Sequence, residues 1–132
     1  MKKFSLDIHG EVREFTRPLV MGILNITPDS FYPGSRTLDG SATDCDCNRE
    51  SVEEMASRLI SEGADIIDVG GCSTRPGSDS VSRDEEMRRV RLGVETVRSL
   101  SPDIMVSVDT FRADVARCAV CLLYTSDAAD EL

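Results

Sequence analysis

The sequence predicts an α/β fold with parallel strands, because two hydrophobic periods alternate along it three times. Short continuous apolar runs of strand length stand in "PLVMGILNITPDS", "ADIIDVGG" and "DIMVSVDT". Between and after them, apolar residues recur at helical spacing. Parallel strands joined through helices make right-handed crossovers, and three such units are fewer than a doubly wound sheet or an eight-stranded barrel requires. The chain therefore reads as the front part of one of these two architectures.

The elements follow in order. "KKFSLDIHGEVREFT" alternates apolar and polar positions around His9 and Gly10, so it predicts a short hairpin. His9, the single histidine, is then a turn residue. The apolar run from Leu19 to Leu24 has the length and flanks of a strand buried on both faces. A polar loop, "DGSATDCDCNRE", leads into the first helix. There Val52, Met55, Ala56, Leu59 and Ile60 form one stripe, Ser51 with Glu54 makes a capping box, and Gly63 ends the helix. After the strand in "ADIIDVGG", Ser82 and Glu85 repeat the capping signal. The second helix should bury Met87, Val90, Val94, Val97 and Leu100. Pro102 lies just beyond it, "DIMVSVDT" supplies the third strand, and "RADVARCAV" opens a third helix.

Composition narrows the class. A chain of 132 residues with 40% hydrophobic content suits one globular domain. Its formal net charge of -9, from 15 basic and 24 acidic residues, argues against bulk attraction to nucleic acid or to an anionic membrane. No apolar run approaches the roughly 20 residues of a membrane span, and "MKKFSLDIHGEV" has no apolar signal region behind its lysines. The expected location is the cytoplasm. The five cysteines are odd in number and lack the spacing of a disulfide framework, so reduced thiols are expected. Cys118 and Cys121 form C-x-x-C, yet without a second pair or nearby histidines this gives no metal or redox site.

Ligands of such folds bind where the carboxyl ends of the strands meet the following loops. The first strand ends at Asn25 in "NITPDSF", the second in "GGCSTRPGS" and the third at Asp109 in "SVDT". Gly70 and Gly71 allow close backbone approach, while Ser73, Thr74 and Arg75 offer hydroxyls and a planar cationic fork suited to phosphate or diphosphate. Asn25 presents a neutral oxygen that could face a hard cation such as magnesium. Asp109, acceptor-only when ionised, could take paired hydrogen bonds from an amino-pyrimidinone edge. Singly, Arg75 could be a surface ion-pair partner, Asn25 a turn former and Asp109 a helix cap. Three such groups at three successive strand ends favour a ligand site.

The segments "MGILNITPDSF", "GADIIDVGGCSTRPG" and "SVDT" resemble the successive signatures of the dihydropteroate synthases, over about residues 19 to 120. The resemblance implies that the chain is the N-terminal part, three βα units and a hairpin, of a (β/α)8 barrel of the TIM type. It also implies the condensation of 6-hydroxymethyl-7,8-dihydropterin diphosphate with 4-aminobenzoate, giving 7,8-dihydropteroate and diphosphate, with Mg2+ as cofactor and a homodimer as the full-length form. By the same resemblance, Ser73, Thr74 and Arg75 would meet the substrates, with Thr74 and Arg75 enclosing aminobenzoate and holding diphosphate. Asn25 would face magnesium, and Asp109 the pterin ring.

Three departures qualify this. Pro33 occupies the place of a loop aspartate common in the family, and Cys72 that of a glutamate. The later family segments, "NDI" and "DPGFGFGK" among them, have no counterpart here, so the chain by itself is expected not to turn over. "CLLYTSDAADEL" resembles translated sequencing-adapter read-through, which would make 1–120 the barrel portion and 121–132 a non-native tail. Two alternatives stand beside the synthase: a non-catalytic half-barrel that binds pterin or diphosphate, and a methyltetrahydrofolate methyltransferase type of pterin domain. "STRPG" speaks against the latter, since methyl transfer releases no diphosphate.

Overall fold

A computed structural model of the chain describes residues 2–8, 10–26, 49–72 and 81–128, with side chains described up to residue 123. Strands β1 (Phe4–Ile8) and β2 (Glu11–Phe15) pair antiparallel as the expected hairpin. Phe4 stands opposite Phe15, and their rings stack with centroids 5.4 Å apart.

The main sheet has three parallel strands, β3 (Met21–Asn25), β4 (Ile66–Gly70) and β5 (Met105–Asp109), side by side in chain order. Helices α1 (Arg49–Ser61), α2 (Arg83–Leu100) and α3 (Ala113–Ala128) alternate with them. Because α2 packs against both α1 and α3, the three helices share one face of the sheet. A doubly wound sheet covers both faces with helices, whereas sequential strands with helices on one side are the winding of a barrel. The described strands are thus an arc of such a barrel.

The strand pleat sorts residues between the faces. Leu24, Ile26, Ile67 and Val69 point at the helices and are fully buried with Val90, Val94 and Val97 of α2. The other face carries Met21 and Ile23, 47% and 51% exposed. The expectation that the first core strand is buried on both faces is therefore corrected. Helices cover one face alone, and the apolar run continues because a barrel interior is apolar too.

Helix ends followed local signals with one exception. Ser82 caps α2, its hydroxyl oxygen accepting from the Glu85 N–H at 3.2 Å. Gly63, at φ +106°, occupies the left-handed conformation that closes α1. Ser51, expected as a cap, instead lies inside α1, which already begins at Arg49. The stripe on α2 also shifts: Leu100 is 37% exposed, while Glu86, Arg89, Gly93 and Thr96 join the valines inside. Gly93 marks the closest approach of α2 to the sheet. A Cβ there would stand 2.5 Å from Ile26 Cδ1 and 2.6 Å from Val69 Cγ1.

At the amino ends of the strands, Arg17 pairs bidentately with Asp65 at 2.6 and 3.0 Å, and Asp65 also accepts from the Val20 N–H at 2.9 Å. The Arg17 hydrogen bond, followed by that of Val20, lowers the Asp65 pKa to about 2. This fastens the entry of β3 to that of β4. α3 runs without a break across Val120 and Cys121, and Leu122 and Leu123 pack against the core.

Candidate functional site

The register of the parallel sheet decides what meets at its carboxyl edge. Asn25 is paired with Gly70 and Gly70 with Asp109, so the three stand in one row across the strand ends. Asn25 and Asp109 sit at alternate positions from the buried Leu24 and the half-buried Val108, on the face turned away from the helices. Neither is a turn former or a helix cap. Asn25 belongs to β3, and Asp109 ends β5 four residues before α3 begins at Ala113.

Gly70 explains how the row stays open. A Cβ on Gly70 would come within 3.1 Å of Asn25 Oδ1 and 3.9 Å of Asp109 Cβ. Without one, a shallow cradle lies between an amide oxygen and a carboxylate. Two strand spacings separate the backbones of Asn25 and Asp109, about 9.5 Å, a width that suits a flat two-ring ligand. One layer further into the open face, Ser107 donates to Asp68 Oδ1 at 2.6 Å. This pair satisfies two polar groups on the floor below the row.

Behind the row, on the helix face, α2 closes in with charged residues that the sequence reading did not single out. Glu86 is fully buried. Its carboxylate accepts from Thr110 Oγ1 at 3.0 and 3.1 Å and from Arg112 Nη1 at 3.2 Å. Arg112 also donates from its backbone N–H to Thr110 Oγ1 and from Nη2 to the Val81 carbonyl. Arg89, 6% exposed, donates to the Gly71 carbonyl at 3.2 Å and to Glu85 Oε1 at 2.9 Å. Gly71 has no space for a side chain, since a Cβ would lie 3.0 Å from both Arg89 Cβ and the Glu86 carbonyl. The available signal was Glu86 and Arg89 falling on the face of the valine stripe, one turn after the cap.

Of the expected site residues, the structure brings Asn25 and Asp109 together around Gly70. Ser73, Thr74, Arg75 and Pro33 lie outside the described residues, as do Cys45 and Cys47. Cys72 is half-buried at the end of β4. Among the described residues no cluster of three or more histidine, cysteine or acidic side chains could hold a metal, and no helix is long and apolar enough to cross a membrane.

Comparison with known proteins gives the row its context. Residues 21–124 match the pterin binding enzyme family. The chain belongs to that family. It is 47% identical over 104 residues to the dihydropteroate synthase of Clostridium beijerinckii, covering 79% of this chain and 35% of that protein. It is 46% identical over 103 residues to the inactive dihydropteroate synthase 2 of Mycobacterium leprae, covering 78% of this chain and 32% of that one. Among solved structures, Xanthomonas albilineans dihydropteroate synthase with 4-aminobenzoic acid superposes with a TM-score of 0.67 at 42% identity, covering 89% of this chain and 39% of that one. The chain thus spans between 32% and 39% of the length of these relatives. Its sheet corresponds to part of their barrels.

Proposed function

We propose that this chain supplies the first three strand ends of a dihydropteroate synthase site, a transferase that joins 6-hydroxymethyl-7,8-dihydropterin diphosphate to 4-aminobenzoate with release of diphosphate. The in-register row of Asn25, Gly70 and Asp109 at the carboxyl edge carries this reading. In it, Asp109 accepts the N–H groups of the pterin edge across the cradle that Gly70 leaves open. Thr74 and Arg75, with Ser73, bind the aminobenzoate and the diphosphate. Asn25 Oδ1, a neutral hard oxygen bordering the cradle, suits Mg2+, which binds through few protein oxygens and substrate phosphates. The ion would neutralise charge on the diphosphate as it leaves. Arg75 serves the same end by donating to developing anionic oxygens, so the pterin methylene becomes open to attack by the substrate amine. Pterin-binding side chains from later strands would complete the pocket. The complete protein would be a cytoplasmic homodimer that binds neither nucleic acid nor membrane. Residues 1–120 would form the barrel's share of this chain and 121–132 a non-native end, whose Leu122 and Leu123 meet the core as apolar residues at that helical register would.

The experiment is a hybrid in which residues 17–120 replace the corresponding stretch of the Clostridium beijerinckii relative, assayed for dihydropteroate with both substrates and Mg2+. Turnover is expected, with Asp109→Asn raising the pterin KM at least about tenfold, as loss of a charged acceptor requires. A folded hybrid without product would remove the reading. The inactive relative from Mycobacterium leprae favours one alternative, a site that binds without turning over. Calorimetry on the same hybrid separates the two: pterin diphosphate would release heat while no product forms.

A further inference from the structure

We propose that Glu86 is a positioning residue for the strand-end site, acting through Thr110 to hold the carboxyl end of β5 where Asp109 needs to be. The inference rests on the reading of Asp109 as the acceptor for the pterin edge. Asp109 and Thr110 are adjacent and point to opposite faces, so a force on the Thr110 side chain from behind is felt by the Asp109 backbone in front. Thr110 donates its hydroxyl proton to the Glu86 carboxylate at 3.0 to 3.1 Å, and its oxygen accepts the Arg112 N–H at 3.1 Å. Both capacities of the hydroxyl are engaged. Glu86 is held in turn by Arg112 Nη1 at 3.2 Å, and Arg112 by the Val81 carbonyl at 2.8 Å, next to the cap of α2. The chain of contacts is closed.

Energetics point away from a purely stabilising role. A buried ion pair gains little over apolar residues of the same volume, because desolvation offsets much of its attraction. Two turns along the same helix, Val94 and Val97 make ordinary apolar packing. The buried charged residues of α2, Glu86 and Arg89, are confined to the part that lies behind Gly71 and Thr110, where Arg89 holds the Gly71 carbonyl at 3.2 Å. Hydrogen bonds have direction and apolar contacts do not, so this arrangement defines where two strand ends lie rather than merely covering them.

The test works from the Thr110 side, since removing Glu86 would leave Arg112 without its carboxylate and could unfold the helix junction. Thr110→Val deletes the hydroxyl at nearly constant volume, and Thr110→Ser keeps it. In the full 132-residue chain, amide hydrogen exchange at residues 109–111 should quicken about tenfold in Thr110→Val and return to within about twofold of the parent in Thr110→Ser. Exchange in α1 should be unchanged. In the hybrid, Thr110→Val should raise the pterin diphosphate KM at least about fivefold while the aminobenzoate KM stays within about twofold, and Thr110→Ser should restore it. Parent-like exchange at 109–111 in Thr110→Val would overturn the proposal. So would a fall in melting temperature with both KM values unchanged, which is what a structural role alone produces. If the unsubstituted hybrid makes no dihydropteroate, the functional reading fails, and the exchange measurement still decides whether Glu86 and Thr110 position β5.

Discussion

The two faces of the three-stranded sheet are made from alternate residues of the same strands and serve different ends. Toward the helices, Leu24, Ile67 and Val69 are fully buried in the core between sheet and helices. On the other side, Met21 and Ile23 are about half exposed, and the polar groups Asp68, Ser107, Asn25 and Asp109 rise in layers toward the carboxyl edge. One face is finished within this chain. Among the described residues the other has no helix against it, and the chain covers 39% of the Xanthomonas albilineans chain on which it superposes. In this arc, burial is concentrated on the helix face and the polar strand-end groups on the open one.

Adjacent residues test this most sharply. Leu24→Ala in the 132-residue chain should cost about 3 kcal/mol in urea unfolding, because its cavity is enclosed by sheet and helices. Ile23→Ala should cost within about 1 kcal/mol, since half of that side chain already meets water. Moving both substitutions into the complete hybrid should raise the Ile23 cost and leave the Leu24 cost unchanged. Equal costs in the isolated chain would break the distinction between the faces.

Gly93 probes how closely the finished face is packed. Gly93→Ala brings a Cβ to 2.5 Å from Ile26 Cδ1 and 2.6 Å from Val69 Cγ1. Relief of that overlap costs about 1–3 kcal/mol, and the better helix propensity of alanine returns up to about 1. A net loss of about 1–2 kcal/mol in the hybrid is expected by urea titration. A gain in stability would mean that α2 can move off the sheet freely.

The open face should respond in the opposite sense. Asp109→Asn is expected to change unfolding stability by less than about 0.5 kcal/mol while weakening pterin binding, as befits an exposed group that is not a helix cap. A large loss of stability would return Asp109 to a structural role.

The smallest effect concerns the entry edge. The folded Asp65 pKa lies near 2 and below its ordinary value of 3.8. Its contribution is therefore present above about pH 4 and is lost as pH falls toward 2. Arg17 is 63% exposed, so salt should weaken the pair. Urea midpoints at pH 5 and pH 2.5 should differ more for the parent than for Asp65→Asn. Equal differences would show that the pair adds nothing.

How much of this was legible follows from the range of the forces involved. The hairpin around Gly10, the three strands, the Ser82 cap and the Gly63 stop all depend on residues within a turn or two of one another. Asn25 and Asp109 were legible as chemistry, being unusual side chains at strand ends. Arg17 and Asp65 were not, because nothing local marks a surface aspartate as a partner 48 positions away. Glu86 and Arg89 were passed over because charged residues at the start of a helix ordinarily face water, and only packing shows that these do not. Ser51 misled because a capping pattern also occurs inside helices that begin earlier.

By itself, the sequence determined the alternation of strands and helices, the residue types at each strand end and the family resemblance, since these rest on local periodicity and contiguous motifs. Tertiary structure alone decided that Asn25, Gly70 and Asp109 share one row, that Gly93 is where helix meets sheet, and that Glu86 stands behind Thr110. Each of those joins residues at least 24 positions apart, as Glu86 and Thr110 are. Their relation is set by strand register and helix crossing, which arise only when the elements bury their apolar faces together.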